Sequence, residues 1–220
     1  MDVAVAGGHG KVALRLLRLL ADRGDRARGL IRNIEHAGDL EAVGALPVGA
    51  DLENLDADAI ARSIAGADAI VFSAGAGPGS GPARKRTVDY GGAAKLIEAA
   101  KRNRISRYVM VSAMGVRNPG ARGPEMRPYY EAKLEADQEL KASGLDYTIA
   151  RPGRLTDAPG TGRIEVGPRL EGGGEISRDD VAATLLASLD DPSTIGKEFD
   201  LLSGDTPIAE ALAALSPRQD

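Results

Sequence analysis

Two hydrophobic patterns succeed one another along the chain. Residues 3–6 form a short continuous apolar run, which is typical of a parallel strand covered on both faces. From Lys11 the apolar positions recur every three to four residues, which predicts a helix over 11–23, and Gly24 stands where its C-terminal stop is expected. The chain therefore begins as strand, turn and helix.

The same succession continues through most of the chain. It predicts strands at 26–32, 45–49, 67–72, 108–111 and 145–150, with helices at 35–43, 55–64 and 84–102 and a further helix beginning at Pro128. Strands that alternate with helices indicate an α/β fold: a doubly wound parallel sheet of the Rossmann type, in a single domain with helices on both faces.

The last third is predicted to close this fold. Residues 145–150 alternate apolar and polar side chains, which suggests one less buried face, and 155–170 should be a loop or hairpin over the pocket. Ser177 is a predicted N-cap, 198–202 an edge strand and 207–215 a final small helix. We expect residues 1–215 to be the Rossmann domain, with a small C-terminal substrate-side portion, and 216–220 to be a frayed tail.

Composition narrows the functional classes. With 220 residues and 43% hydrophobic content, one domain can bury a substantial core. The absence of cysteine excludes disulfides and thiolate metal sites, and two isolated histidines argue against zinc. A net charge of −4 with 3% aromatic residues argues against nucleic acid as a partner. No run approaches the roughly 20 apolar residues of a membrane span, so a soluble cytoplasmic protein is expected.

The turn after the first strand is rich in glycine. Gly7, Gly8 and Gly10 allow a tight turn with exposed backbone N–H groups, and the following helix directs its N-terminus at that turn, which suits a pyrophosphate. The motif fits two registers, one beginning at Gly7 and the other at Gly8, and both end at Ala13. The turn is thus a candidate dinucleotide site.

Arg32 indicates which dinucleotide is bound. An acidic residue about 20 positions past the glycines would bind the ribose hydroxyls of NAD, whereas Arg32 follows the second predicted strand here. A guanidinium matches a 2′-phosphate, so NADP(H) is favoured. Arg28 is an alternative ligand, and a solvated Arg32 is the purely structural interpretation.

Two further segments are expected near the cofactor. Asp51, just past the third strand, is either a contact near the adenine or a turn and capping residue. The loop at 73–82 follows a central strand, and the carboxyl ends of such strands border the cofactor.

A possible proton-transfer site follows the fifth strand. Tyr129 and Lys133 are four residues apart and share one helix face, where an ammonium would favour the phenolate. Ser112, at the end of the preceding strand, could bind the same substrate oxygen. Tyr130 is the decoy, because Leu134 follows it at the same spacing.

The chain resembles the atypical short-chain dehydrogenase/reductases, in particular their small NAD(P)H-binding, NmrA-like group. The resemblance covers nearly the whole chain and is carried by these segments: AGGHGK at 6–11, VDYGGA at 88–93, VSA at 111–113, YYEAK at 129–133, SGLDYTIARPG at 143–153 and ISRDDV at 176–181. It implies a catalytic trio of Ser112, Tyr129 and Lys133 at the nicotinamide, with Lys133 also on the ribose and 151–153 nearby. The expected cofactor contacts are Gly7, Gly8, His9, Gly10, Lys11, Val12, Arg32, Asp51, Leu52, Ala74, Gly75, Lys133 and Pro152.

The expected function is an NADPH-dependent oxidoreductase that transfers hydride to a small carbonyl or quinone-like acceptor. The short C-terminal part departs from the larger members of the resembled group, and that group includes sensors without turnover. A non-catalytic NADP(H) sensor and a flavin reductase therefore stay open as alternatives. The expected partner is a small-molecule substrate, without nucleic acid or membrane, and monomer and homodimer are equally consistent with the sequence.

Overall fold

The computed structural model describes residues 1–77 and 79–215, with the backbone alone at residue 122. Its strands are β1 Asp2–Ala6, β2 Arg26–Ile31, β3 Leu46–Gly49, β4 Ala69–Phe72, β5 Arg107–Val111, β6 Asp146–Pro152, β7 Arg154–Thr156, β8 Arg163–Gly167, β9 Glu175–Ser177, β10 Lys197–Ser203 and β11 Thr206–Pro207. The predicted tail at 216–220 lies outside the described residues.

The helices alternate with these strands as predicted. They are α1 Lys11–Asp22, α2 Ala37–Glu41, α3 Ala57–Ser63, α4 Gly81–Arg84, α5 Ala93–Arg102, α6 Arg127–Ala142, α7 Arg178–Asp190 and α8 Ile208–Ala213. Short 3₁₀ helices occupy Ile34–His36, Pro119–Arg122 and Pro192–Thr194. Within the described part of the chain, no helix is long and apolar enough to cross a membrane.

A mostly parallel sheet organises the molecule. Its strand order is β11-β8-β10-β6-β5-β4-β1-β2-β3, and only the contacts of β8 with β10 and β11 are antiparallel. In β1, Val3 and Val5 pack into one core layer, whereas Ala4 and Ala6 pack into the other. Helices α1, α7 and α8 cover the first face and α3, α5 and α6 the second, which confirms the doubly wound Rossmann prediction.

The switch point of the sheet lies at β1. From this strand the chain proceeds through β2 and β3 in one direction, and then returns to β4, β5 and β6 on the other side. Open α/β sheets bind ligands at the carboxyl ends of strands beside such a reversal. The glycine turn after β1 occupies this place.

The predictions for β6 and β10 were wrong in their exposure. In β6 the polar residues Thr148 and Arg151 are buried on opposite faces of the sheet. Thr148 Oγ1 donates to the Thr194 carbonyl at 2.8 Å, and Arg151 Nη2 donates to Asp137 of α6 at 2.9 Å. Helices α6 and α7 contact this strand and leave neither face to solvent. Strand β10 is itself internal, with β6 on one side and β8 on the other. The polar positions of β6 are therefore buried and hydrogen-bonded on both faces, and neither face is solvated.

The 155–170 segment is not a hairpin over the pocket. Strand β7 pairs with β9 in a separate two-stranded sheet, while β8 joins the main sheet beside β10. The predicted cap at Ser177 is confirmed, since its Oγ accepts a hydrogen bond from the Asp180 N–H at 3.0 Å.

The helix predicted at 84–102 begins earlier and is not uniformly α-helical. It runs from Gly81 to Arg102, and its middle, Lys85–Gly92, is π-helical. Such widened turns are uncommon in proteins, and those that occur are often found at functional sites. This π segment buries Asp89 completely.

Candidate functional site

One cleft of about 340 Å³ opens at the carboxyl ends of β1, β2 and β4. Most of the predicted cofactor contacts line it: Gly7, Gly8, His9, Gly10, Arg32, Asp51, Leu52, Ala74 and Gly75. Ser73 and Ala76 line it too, so the loop after β4 borders the cleft as predicted. Sequence reasoning missed Glu53, Arg84 and Val88; for Glu53 the available signal was its position two residues past Asp51.

The glycine turn leaves space where a side chain would not fit. Gly7 has φ +77°, and a Cβ added there would lie 2.7 Å from the Cα of Ala74. A Cβ on Gly8 would lie 2.8 Å from the Cα of Gly29 in β2. Both registers of the motif therefore contain a glycine that the packing requires.

The start of α1 is suited to an anion. Its N-cap, Gly10, provides no capping side chain, and within the described first turn there is no acidic residue. The first N–H groups of a helix lack intrahelical acceptors and carry partial positive charge. The space left by the glycine turn, the uncapped start of α1 and the cleft together fit the pyrophosphate of a dinucleotide.

Arg32 also lines the cleft, and its side chain is 56% exposed, with Nη1 4.0 Å from Oε2 of Glu53. The alternative ligand, Arg28, is unavailable. Its Nε donates to Asp2 Oδ1 at 2.7 Å and its Nη1 to the Ala65 carbonyl at 3.1 Å, so it is buried beside β1. Arg32 is the guanidinium that β2 offers to the cleft.

Asp51 is a turn residue, as one of its two predicted roles requires, and it also lines the cleft. Its Oδ1 accepts the Glu53 N–H at 3.0 Å and its Oδ2 the Asn54 side-chain amide at 2.8 Å, which forms the turn. The His9 imidazole, within the glycine turn, stacks on His36, with ring centroids 3.7 Å apart.

Four of the predicted contacts, Lys11, Val12, Lys133 and Pro152, lie outside the cleft lining. Lys11 Nζ pairs with Asp157 at 2.8 Å, and Val12 is buried in the core beneath α1. Pro152 ends β6, where its carbonyl oxygen accepts the Met114 N–H at 3.0 Å.

Lys133 is buried and has several acceptors. Its Nζ donates to the Ala74 carbonyl at 3.2 Å and to the Val111 carbonyl at 3.4 Å, and lies 3.4 Å from Asp89 Oδ1. An ammonium has three N–H donors, so these acceptors can occupy all of them. Because Ala74 lines the cleft, Lys133 connects α6 to the loop after β4, which we call the cofactor loop.

The predicted effect of Lys133 on Tyr129 is not found. Burial raises the pKa of the Tyr129 phenol, and the negative charges of Asp89 and Asp137 raise that pKa further. Lys133 does not offset this shift, and its own ammonium is paired with Asp89, 3.4 Å away. Tyr129 is therefore held as a neutral phenol, which is a proton donor and not a phenolate.

The Ser112 side chain is buried at the end of β5. Its N–H donates to the Ala150 carbonyl at 2.8 Å, but its Oγ has no partner of normal hydrogen-bond geometry among the residues described. An unsatisfied buried hydroxyl is costly, so such an atom is a candidate for binding a ligand oxygen.

A charged network lies beneath this serine. Asp137 follows Lys133 by four residues, and its Oδ2 accepts from Nε and Nη2 of Arg151 at 3.0 and 2.9 Å. Arg151 also donates to Glu198 at 2.7 Å. Burial raises the pKa of Asp137, and Arg151, Ser112 and Lys133 oppose that shift. The network fixes α6 against β6 and β10. Elsewhere in residues 1–77 and 79–215, no group of three His, Asp or Glu could hold a metal ion.

Comparisons with known proteins agree with this geometry. Residues 7–192 match the profile of a family described as NAD(P)H-binding. The sugar epimerase YhfK of Bacillus subtilis, itself uncharacterized, is 47% identical over 216 residues, which cover 98% of this chain and 100% of YhfK.

Solved structures show the same architecture. A Bacillus halodurans protein, provisionally described as an NAD-dependent epimerase/dehydratase, superposes with a TM-score of 0.90 at 41% identity, covering 97% of this chain and 99% of that protein. ChuY, an anaerobilin reductase of Escherichia coli O157:H7, gives a TM-score of 0.76 at 26% identity, covering 93% and 98%.

Proposed function

Because the chain belongs to the NAD(P)H-binding family of atypical short-chain dehydrogenase/reductases, we propose that it is an NADPH-dependent reductase of a small carbonyl or quinone-like acceptor. The observation that carries the proposal is the cleft that Arg32 and the glycine turn line together. NADPH, when bound, supplies the hydride. Gly7, Gly8 and Gly10 would hold its pyrophosphate and Arg32 its 2′-phosphate.

The chain's own residues supply the proton and the orientation. Tyr129, as a neutral phenol, donates its proton to the acceptor oxygen, and the buried Ser112 hydroxyl polarises that oxygen by a hydrogen bond. Lys133 positions the cofactor loop through the Ala74 carbonyl. The C-terminal portion after β7, which contains β8 to β11, α7 and α8, is the proposed substrate side of the pocket.

Turnover of NADPH tests this function. We would follow its oxidation with a panel of quinones and small carbonyl compounds, using Tyr129→Phe and, as the matched control, Tyr130→Phe. Removal of a general acid costs roughly 10²- to 10⁴-fold in rate, so we expect kcat to fall at least 100-fold in Tyr129→Phe and to change less than about twofold in Tyr130→Phe. Reduction of every acceptor at the parent rate by Tyr129→Phe would show that the acid is misassigned.

The same assay separates the alternatives. A flavin reductase would reduce free flavin equally well without the Tyr129 hydroxyl. A sensor would bind NADPH without sustained oxidation by any acceptor. An epimerase, the activity named for YhfK, would invert a sugar centre with no net consumption of the cofactor.

A further inference from the structure

Three charged side chains from three elements meet at one end of the cleft. Arg32 follows β2, Glu53 lies in the turn after β3, and Arg84 ends α4; all three line the cleft. The Glu53 carboxylate lies between the two guanidiniums, with Oε2 3.3 Å from Arg84 Nε and 4.0 Å from Arg32 Nη1.

Glu53 is held firmly in this place. Its Oε1 accepts the Thr87 hydroxyl at 2.6 Å, and Lys95 Nζ donates to the backbone carbonyls of Glu53 and Leu55 at 2.9 and 2.8 Å. Its side chain is 25% exposed, compared with 35% for Arg84 and 56% for Arg32. The carboxylate is thus held by a further hydrogen bond within the protein, and the two arginines are the more exposed members of the group.

The Glu53 carboxylate, between two guanidiniums, occupies the position that a bound phosphate would take. A phosphate has nearly two negative charges and three acceptor oxygens, and guanidiniums bind it by paired hydrogen bonds. It would therefore compete with Glu53 for both arginines. A ribose hydroxyl has no such charge. With NAD(H) the two arginines can therefore remain paired with Glu53, and the Glu53 carboxylate can accept a hydrogen bond from the hydroxyl.

We propose that Arg84 is a second ligand of the 2′-phosphate and that Glu53 determines cofactor choice by holding both guanidiniums when no phosphate is present. This inference rests on the NADP(H) preference in the proposed function. It assigns the preference to three elements, whereas the sequence motif assigned it to Arg32 alone.

Calorimetric titration of the whole chain with NADPH and with NADH tests the assignment without any need for turnover. We compare Arg84→Ala, Arg84→Gln and Glu53→Gln with the parent. Arg86→Ala is the matched control: Arg86 lies two residues further along the same helix, but it pairs with Glu135 of α6 and stacks over Tyr90. The Arg86→Ala substitution removes one positive charge, as Arg84→Ala does, but from a residue that does not line the cleft.

Loss of one charge-assisted phosphate contact should weaken NADPH binding roughly tenfold or more in both Arg84 variants and change NADH binding less than about twofold. Glu53→Gln should strengthen NADPH binding several-fold, because a negative charge beside the phosphate is removed, and should weaken NADH binding. Arg86→Ala should resemble the parent with both cofactors.

Equal effects of Arg84→Ala on the two cofactors, no effect on either, or weaker NADPH binding in Glu53→Gln would overturn the inference. If the parent chain binds both cofactors equally, the NADP(H) preference fails and the inference with it. If the parent discriminates but catalyses no reduction, the reductase function fails and the assignment of Arg84 and Glu53 stands.

Discussion

Lys133 shows how far a spacing rule extends at the scale of one residue. The four-residue interval from Tyr129 correctly predicts that both lie on one helix. It contains no information about a counter-charge from another element, and here Asp89 provides one at 3.4 Å. The helix could be predicted from the sequence. The raised pKa of Tyr129 could not, because it depends on burial and on charges such as that of Asp89.

The ion pair of Lys133 with Asp89 should be important for stability. Both side chains are buried, with 5% and 0% exposure, so Asp89→Asn leaves an uncompensated buried ammonium. Breaking a buried pair costs about 3–5 kcal/mol, and we expect a decrease of that size in the free energy of unfolding, measured by urea denaturation.

The control for this variant is Asp58→Asn. Asp58 pairs with Arg102 on the surface, where ion pairs contribute about 0–1 kcal/mol. Equal small losses in both variants would show that the Lys133 pair is not buried in solution.

At the scale of the element, strand and helix order followed from hydrophobic pattern, whereas the neighbours of each strand did not. The sequence of β6 has the same appearance whether its polar side chains are solvated or buried, and only the helices that cover the strand and the hydrogen-bond partners of Thr148 and Arg151 decide between them. In the same way, glycine spacing predicted the turn after β1, but the contact of Gly8 with Gly29 depends on the register of β1 with β2.

Gly8→Ala should disturb this element specifically. Its Cβ would meet backbone of β2 at 2.8 Å, and backbone cannot move aside as a side-chain end can. Overpacking of this kind costs about 1–3 kcal/mol, and the turn that is displaced lines the cofactor cleft. We expect a lower Tm and at least tenfold weaker NADPH binding by calorimetry.

Gly38→Ala is the matched control. Gly38 is in helix α2, a Cβ there meets nothing within 4 Å, and alanine in a helix is favoured by roughly 0.5–1 kcal/mol. This variant should be as stable as the parent or more so. A Gly8→Ala protein that behaved like it would contradict the tight packing of the turn.

At the scale of the whole molecule, cofactor binding should stabilise the fold. A ligand that binds only the native state adds about 2.7 kcal/mol at a hundredfold excess over Kd. For a chain of this length, about 2–4 °C in Tm accompanies each kcal/mol, so NADPH should raise Tm by roughly 5–10 °C, and at equal concentration by more than NADH. An unchanged Tm at saturating NADPH would contradict binding in the cleft.

The network that joins α6, β6 and β10 should make stability depend on pH. Burial alone would raise the pKa of Glu198, but the charges of Arg151 and Lys141 lower it below its ordinary value of 4.5. A lowered carboxyl pKa contributes stability above the ordinary value that is lost as pH falls through the folded value. Glu198→Gln should therefore be less stable than the parent at neutral pH by about 1–3 kcal/mol.

This difference should begin to shrink as the pH falls below 4.5, where the Glu198 carboxyl of the unfolded chain takes up a proton, and should disappear once the pH falls through the lower pKa of the folded carboxyl. Thermal unfolding across pH 3–7 measures it, with Glu171→Gln as control, because Glu171 is 88% exposed. A difference that stayed constant down to pH 3 would show that the Glu198 charge contributes nothing.

The π-helical segment Lys85–Gly92 has a consequence for how chains of this fold can diverge. It separates Arg84, which faces the cleft, from Ala93–Arg102, which packs in the core. One residue of a helix corresponds to a rotation of about 100°. A one-residue deletion in this segment would rotate Arg84 around the helix axis while the core helix stayed in register. Insertions and deletions here can thus alter the ligand specificity of the cleft without altering the hydrophobic core.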